Sequence, residues 1–385
     1  MKETAFAFID EKKDEIINLW QELVNMESGS YYVEGVDKVV DRVLQILADA
    51  GAKTKAIEFE AAGNMAYAEF AGADKAPVML LGHVDTVFAE GEVAKRPFKI
   101  EAGKAYGPGV LDMKGGVIAA MYAAIALKHA GFNERPVKLL FAGDEENGHL
   151  NSNAAEVFQQ EAKGCVAAFD CETSAGDNVV VVGRKGMVTF TVGVHGVSAH
   201  AGNDPENGRS AILEMAYKII DIQNLTNWER GYTFNVGTIK GGTVPNAVPE
   251  YCEINVDIRY VDPADLPELK AMVEQTIGKT YIEGTKTELV KFLVGYQPMQ
   301  TTEGVKKLFA LFAEVSEGNG FGTPTAITSG GGSDASNTVI AGVPTLCATG
   351  VKGGRNHSPE EFAHVESIFE RAKLLAATIL RLEEL

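Results

Sequence analysis

Five short clusters in this sequence each set a histidine or carboxylate side chain at a strand end or in a glycine-rich loop. They are Leu81-Gly-His-Val-Asp-Thr-Val87, Gly107-Pro-Gly-Val-Leu-Asp-Met-Lys-Gly-Gly116, Ala142-Gly-Asp-Glu-Glu-Asn-Gly148, Phe169-Asp-Cys-Glu-Thr173 and Gly353-Gly-Arg-Asn-His-Ser-Pro359. In His83-Val-Asp85 the two polar side chains share a face if the segment is extended, so Asp85 can hold the imidazole through its second nitrogen. Alone, that pair reads first as a core or surface histidine with a hydrogen-bonded neighbour. Asp112 follows a Gly-Pro-Gly turn and precedes an apolar helix, a position that also suits a helix cap. Glu145 and Glu146 are adjacent, so in extended backbone their side chains diverge; one can bind a metal while the other handles a proton. Together, a set of His, Asp and Glu ligands followed much later by His357 is what two zinc-like ions sharing a carboxylate require.

The elements that must position these residues are readable from periodicity. Residues 10–27 and 35–50 have apolar positions at helical spacing, as in Val39, Val40, Val43, Leu44 and Leu47. Short β-rich runs follow at 66–70 and 78–81, then an alanine-rich helix over 115–130 and a strand over 137–142. Strands alternating with such helices predict a mixed, mainly parallel sheet covered on both faces. Near residue 185 the pattern changes to strands at 187–194, 234–239 and 250–260, with helices at 210–222 and 263–277, the signature of a small α+β unit. After about 297 the first pattern returns, with a helix over 303–317, a strand at 344–348 and a helix from Pro359. The expectation is a discontinuous α/β catalytic domain, residues 1–184 and 296–385, interrupted by an inserted domain, residues 185–295.

Composition narrows the class. The chain has 385 residues, 45% hydrophobic and 23% charged, which excludes a disordered, collagen-like or coiled-coil protein. A formal charge of −18 repels phosphate backbones and anionic lipid, so neither nucleic acid nor membrane is an expected partner. Four cysteines without a CxxC pair suggest a reducing compartment. The N-terminal segment lacks a signal-type apolar run, and the longest uncharged apolar stretch, Gly115 to Leu127, is shorter than the roughly 20 residues a bilayer span needs. A cytoplasmic location is expected.

Over nearly its full length, with these motifs in order, the sequence resembles the peptidase M20 family of co-catalytic metallohydrolases. The segments Thr173-Ser-Ala-Gly-Asp177, Ser198-Ala-His-Ala-Gly202 and Gly330-Gly-Gly-Ser-Asp334 look closest to its glutamate carboxypeptidase (carboxypeptidase G2-like) branch. The resemblance implies a zinc-exopeptidase-like catalytic domain and a ferredoxin-like insert acting as lid and dimerisation domain. It implies that His83 binds one metal, Asp112 bridges two, and Glu146 and His357 bind the second, with Glu145 as general base and Asp85 behind His83. For the remaining ligand, the fourth cluster departs from the branch's Glu-Pro-Thr pattern. A gapless match lands on Cys171, and a one-residue gap favours Glu172, with Asp170 as the other candidate. In the insert, His200 matches the oxyanion-stabilising histidine, while Asn246 and Arg259 match residues that grip a substrate carboxylate; Gly331 is a further substrate contact. Arginine suits that task because its planar donors meet a carboxylate in pairs.

The implied cofactor is a pair of divalent ions per chain, Zn²⁺ or else Mn²⁺ or Co²⁺. The implied substrate is a peptide, cleaved by a carboxypeptidase or dipeptidase, or an N-acyl amino acid, cleaved by a deacylase of the same family. A catalytically inactive binding relative is the alternative from another class, and a homodimer through the insert is the implied assembly.

Overall fold

The computed structural model describes residues 1–176 and 178–385, with the backbone alone at Ala175. Asp177, part of a segment quoted above, lies outside the described residues. The described residues form two compact units: Met1–Gly183 with Thr301–Thr328 and Ser333–Leu385, and Arg184–Gln300 with Ser329–Gly332.

The first unit is built on a sheet whose main strands are β1 (Lys53–Ile57), β2 (Gly63–Phe70), β3 (Val78–His83), β4 (Val137–Gly143) and β5 (Ala167–Asp170). Their order is β1-β2-β4-β3-β5, closed by a short strand, Thr345–Leu346. β3 runs parallel to both β4 and β5, and β1 and β2 form the antiparallel edge. Alternation along β3 explains why both faces are covered. Val78 and Leu80 join one apolar cluster, with Trp20, Val39 and Leu375; Met79 and Leu81 join another, with Ala154 and Phe158 of the helix Ala154–Ala162. The helix Lys114–His129 is buried almost all round, as its unbroken apolar composition requires. Among the described residues no helix is long and apolar enough to cross a membrane.

Two expectations about helices need correction. The N-terminal region contains three helices, Lys2–Glu11, Lys13–Val24 and Val33–Asp49. The first buries only Ala5 and Ile9, too few apolar positions for a readable period. The C-terminal helix begins at Val365, because residues 362–364 form a strand between Lys104–Tyr106 and Lys352–Gly354.

The second unit is a βαββαβ fold with strands β6 (Gly186–His195), β7 (Thr233–Gly241), β8 (Tyr251–Tyr260) and β9 (Lys286–Val294). They pair antiparallel in the order β7-β8-β6-β9, the ferredoxin-like arrangement. Helices Ala211–Gln223 and Leu266–Ile277 supply Met215, Ile222, Leu269 and Val273 to a core shared with alternate residues of β6 and β8. Residues 295–300 extend this unit because Gly295 and Met299 bond to the backbone of Met187 and Arg184. Ser329–Gly332 joins it through Lys185 N–H to the Ser329 carbonyl and Arg184 to the carbonyls of Gly331 and Gly332.

Candidate metal centre

In the first unit, β4, β3 and β5 end side by side in parallel, and the chain leaves each at the same sheet edge. That edge is where open α/β sheets place ligands. His83 is the last residue of β3, Glu145 and Glu146 follow β4, and Glu172 follows β5. Asp112 arrives from the turn before the helix Lys114–His129. That helix comes close because it carries Gly116, where a Cβ would lie 1.9 Å from the Cys171 carbonyl oxygen. His357 projects from the loop between strands Lys352–Gly354 and Phe362–His364 with φ of +59°, a left-handed conformation uncommon for residues other than glycine.

Two groups of donor atoms converge here. His83 Nε2 lies 3.4 Å from Asp112 Oδ1 and 3.4 Å from Glu172 Oε1. His357 Nε2 lies 3.2 Å from Asp112 Oδ2 and 3.2 Å from Glu146 Oε2. Asp112 therefore gives one oxygen to each group, and either group is compact enough to hold a metal ion. Two buried atoms here, His83 Nε2 and Glu146 Oε1, have no hydrogen-bond partner among the described residues. Orphaned buried donors and acceptors are costly, and a cation would satisfy both. Nitrogen and carboxylate donors of this kind suit zinc and its neighbours. The residues present thus fit a pair of divalent ions.

The electrostatics carry the same demand for positive charge. Burial opposes protonation of His83, but the carboxylates of Asp112, Asp85 and Glu172 outweigh it and raise its pKa well above the ordinary value. Glu145 is raised well above the usual carboxylate range, first by burial and then by Glu172, Asp334 and Glu146. A carboxyl group in that condition holds a proton readily, as a proton-transfer residue must.

Asp85 does more than stand behind His83. His83 Nδ1 sits 3.1 Å from the Asp85 carbonyl and 3.4 Å from Oδ1. The Asp85 carboxylate also accepts the N–H groups of Glu145 and Glu146, both at 3.1 Å, and the Ser30 hydroxyl at 2.6 Å. One buried side chain thereby fixes both acidic residues. These two lie in a 3₁₀ turn, Glu145–Asn147, rather than the extended backbone expected, yet they still diverge: Glu146 pairs with His357, while Glu145 faces the charges of His83 and Glu172.

Of the alternatives at the fourth cluster, the structure brings Glu172 to His83. Asp170 accepts the Ser333 hydroxyl and the Cys347 thiol instead, and Cys171 is buried with its thiol toward the Phe169 carbonyl. The residue at the N-cap of the helix Lys114–His129 is Met113, one position after Asp112. The Asp112–Met113 peptide is cis.

The other site residues all belong to the second unit. His200 Nδ1 accepts N–H bonds from Gly202 at 3.1 Å and Asn203 at 3.2 Å, so a neutral ring carries its proton on Nε2. The Asn246 carbonyl takes the Ala201 N–H at 3.0 Å, which places Asn246 beside the His200 loop. Arg259 donates through Nε to Asp257 at 2.8 Å and through Nη1 to the Gly330 carbonyl at 3.1 Å, next to Gly331.

Sequence reasoning missed several supports. Glu361 is buried and accepts the N–H groups of Gly109, Leu111 and Asp112. Asn356 donates to Asp112 Oδ2 and to Thr173 Oγ1, each at 2.9 Å. Lys114, its pKa pushed down to about 7 by burial, ties the Asp112 helix to the Leu23 and Met26 carbonyls. The signal available was proximity: Asn356 and Glu361 flank His357, and Lys114 lies two residues past Asp112.

Carboxypeptidase G2 of Pseudomonas sp. (strain RS-16) is 29% identical over 387 residues, covering 98% of this chain and 91% of that protein. A succinyl-diaminopimelate desuccinylase of Stenotrophomonas maltophilia (strain R551-3) is 29% identical over 282 residues, 68% of this chain and 72% of its own length. The crystal structure of aminopeptidase PepT from Bacillus cereus ATCC 10987 superposes with a TM-score of 0.81 at 22% identity, covering 96% of this chain and 99% of that one. Residues 79–381 match peptidase family M20/M25/M40, so the chain belongs to that family and is a hydrolase of its metallopeptidase and amidohydrolase kind.

Proposed function

We propose that the chain is a dinuclear metal-dependent exopeptidase, of carboxypeptidase or dipeptidase type, that releases an amino acid from a short peptide. The observation that carries this reading is the sharing of Asp112, one carboxylate oxygen toward His83 and Glu172 and the other toward Glu146 and His357. These residues would hold two ions, Zn²⁺ or alternatively Mn²⁺ or Co²⁺. When bound, such a pair supplies Lewis acidity for a carbonyl and lowers the pKa of water.

The remaining work falls to the chain itself. Glu145 takes a proton from the attacking water and returns it to the leaving nitrogen, a double role that its raised pKa suits. Asp85 holds Glu145 and Glu146 by their N–H groups and keeps the His83 ring oriented. His200 presents Nε2–H as the donor for the developing oxyanion; losing one such donor typically costs about 2.7 to 4 kcal/mol in the barrier. Arg259, held by Asp257 and the Gly330 carbonyl, and Asn246 receive the substrate's free carboxylate, with Gly331 alongside.

A second reading, N-acyl-amino-acid deacylase, uses the same machinery and is favoured by the likeness to the desuccinylase. We place the protein in the cytoplasm, since its cysteines are buried and no disulfide joins them among the described residues. A homodimer through residues 185–295 is supported by β7, an edge strand, and by the exposed apolar residues Leu213, Tyr217 and Ile220 on one helix face and Ile239 on β7. Metal analysis with hydrolysis of a dipeptide and acyl-amino-acid panel tests the reading. Full activity after removal of all metal would refute it.

A further inference from the structure

A cavity of about 710 Å³ opens within the first unit, and none of the residues proposed to hold metal or to move a proton lines it. Its floor is one face of a small antiparallel sheet, strands Lys99–Glu101, Lys104–Tyr106 and Phe362–His364. Tyr106 lies directly opposite Lys99 on one side and Phe362 on the other, so the three side chains share a face, and Lys104, two residues before Tyr106, shares it too. The Tyr106 and Phe362 rings lie 6.3 Å apart, centre to centre. Each holds a lysine head by cation–π attraction: Lys99 Nζ is 5.3 Å from the centre of the Tyr106 ring, and Lys104 Nζ is 4.2 Å from that of Phe362. The walls are the end of the short helix Glu92–Lys95, with Lys95 and Arg96, and the loop that carries His357, with Arg355 and Glu360. Arg96 ties the walls together, donating through Nη1 to the Pro359 carbonyl at 3.0 Å and through Nε to Glu92 at 2.6 Å.

In a chain of formal charge −18, this cavity reverses the sign. Its lining contributes five cations, Lys95, Arg96, Lys99, Lys104 and Arg355, and one carboxylate, Glu360, which pairs with Arg355. From outside the lining, Glu92 pairs with Lys95 and Arg96, and Glu101 pairs with Lys99. Three carboxylates thus answer five cations, and two positive charges are left over. Exposed pairs such as Lys99 with Glu101 are individually weak, so a ligand can take their place. A phosphate monoester carries about −1.5 to −2 charges at pH 7, which matches the surplus. A nucleic acid or a membrane would extend past the cavity onto the acidic remainder of the chain and be repelled. A small molecule would not, and the cavity falls in the range of about 300 to 1,000 Å³ typical of small-molecule sites.

We propose that this cavity binds a small organic phosphate monoester, and that the bound anion strengthens the hold on metal at the proposed centre. The site stands on the cavity and its charge; only the coupling rests on reading Asp112 and His357 as metal ligands. Two segments carry the coupling. Gly107, in the cavity lining, begins the turn that leads to Asp112. Arg355, also in the lining, is followed by Asn356, which donates to Asp112 Oδ2 at 2.9 Å, and then by His357 itself. An anion gripped by Arg355 steadies this segment, and linkage requires that bound metal tighten the anion in return.

Calorimetry on the zinc-loaded protein compares AMP, adenosine, inorganic phosphate and succinate. AMP should bind, inorganic phosphate and succinate about tenfold or more weakly than AMP, and adenosine not measurably. Lys99→Glu and Lys104→Glu each reverse a charge on the floor and should weaken AMP about tenfold or more, whereas Lys307→Glu, on an exposed helix face, should leave it unchanged. In chelator competition, saturating AMP should raise zinc affinity about fivefold or more. No binding of AMP, or adenosine, phosphate or succinate binding as tightly as AMP, would overturn the site. So would AMP binding that both floor variants leave intact, since it would place the anion on the metal ions. AMP bound at the cavity with zinc affinity unchanged would overturn the coupling. A protein that binds AMP here and holds no metal would instead overturn the metal-centre reading and leave the site standing.

Discussion

The buried carboxylate of Glu361 accepts the backbone N–H of Asp112 at 3.0 Å, although the two residues are far apart in sequence. The same carboxylate takes the Leu111 N–H at 2.8 Å and the Gly109 N–H at 3.3 Å. The loop presenting Asp112 is thus closed around an acid whose pKa burial pushes up to about 7. Glu361→Ala strands three N–H groups and frees the loop, and outer-shell changes of this kind typically cost about 10- to 100-fold in metal affinity. Glu361→Gln, which keeps one acceptor oxygen, should fall between. Chelator competition measures both; wild-type affinity in Glu361→Ala would deny the residue this role.

Glu145 and Glu146 are neighbours with separate tasks in the proposed mechanism. Glu145→Ala should abolish turnover and leave metal content near that of the wild type, because the residue is assigned to proton transfer. Glu146→Ala should lower metal content, as should His83→Ala and Asp112→Ala. If Glu145→Ala emptied the site while Glu146→Ala stayed loaded, the two assignments would have to be exchanged.

The sequence made the residue types at this centre legible, because strand ends carrying His or acid beside glycine stand out from the apolar strands before them. It did not decide between Asp170 and Glu172. That choice depends on where β5 stops, and β5 ends at Asp170, whose side chain meets Ser333 and Cys347 from distant parts of the chain. Glu361 was invisible for a similar reason. It sits where a helix was expected, and only the pairing of residues 362–364 with residues 104–106 turns it inward toward the Asp112 loop. Long alternating strands such as β6 and β8 were readable because burial of one face imposes a period of two. Strands of two or three residues have no period to read.

His149 shows how a histidine near the site can serve stability. Its Nδ1 lies 2.8 Å from Asp144 Oδ1 and its Nε2 lies 2.7 Å from Asp334 Oδ1, all three side chains being buried. Burial opposes the charged ring, but Asp334 and Asp144 outweigh it and raise the pKa well above 6.5. The imidazolium therefore stabilises the fold fully below the unfolded pKa, and this contribution is lost as pH rises from there through the raised folded value. His149→Ala should cost about 3 to 5 kcal/mol at pH near 6, as breaking a buried pair does, and less at pH near 9. Urea unfolding at the two pH values measures the gap; a gap that does not narrow would mean the folded ring is neutral.

Arg259 is proposed to read the free carboxylate of the substrate through paired charge-assisted bonds. Amidating that carboxylate should cost much of kcat/KM in the wild type and little in Arg259→Ala. Equal losses in both proteins would remove the residue from substrate recognition.

The last expectation concerns which chain supplies His200. All the residues proposed to hold metal belong to the first unit, whereas His200 belongs to the second, which carries the exposed edge β7 proposed as a dimer interface. If that interface forms, His200 can serve the active site of the partner chain. Co-expressing Glu145→Ala with His200→Ala separates the two possibilities. A mixed dimer contains one site that combines an intact Glu145 from one chain with an intact His200 from the other. Under donation between chains the mixture recovers activity that neither variant has alone, up to about half of the wild-type value per mixed dimer if its two sites act independently. Under donation within a chain every site lacks one of the two groups. Purified mixed dimers that stay inactive would therefore assign His200 to its own chain's site.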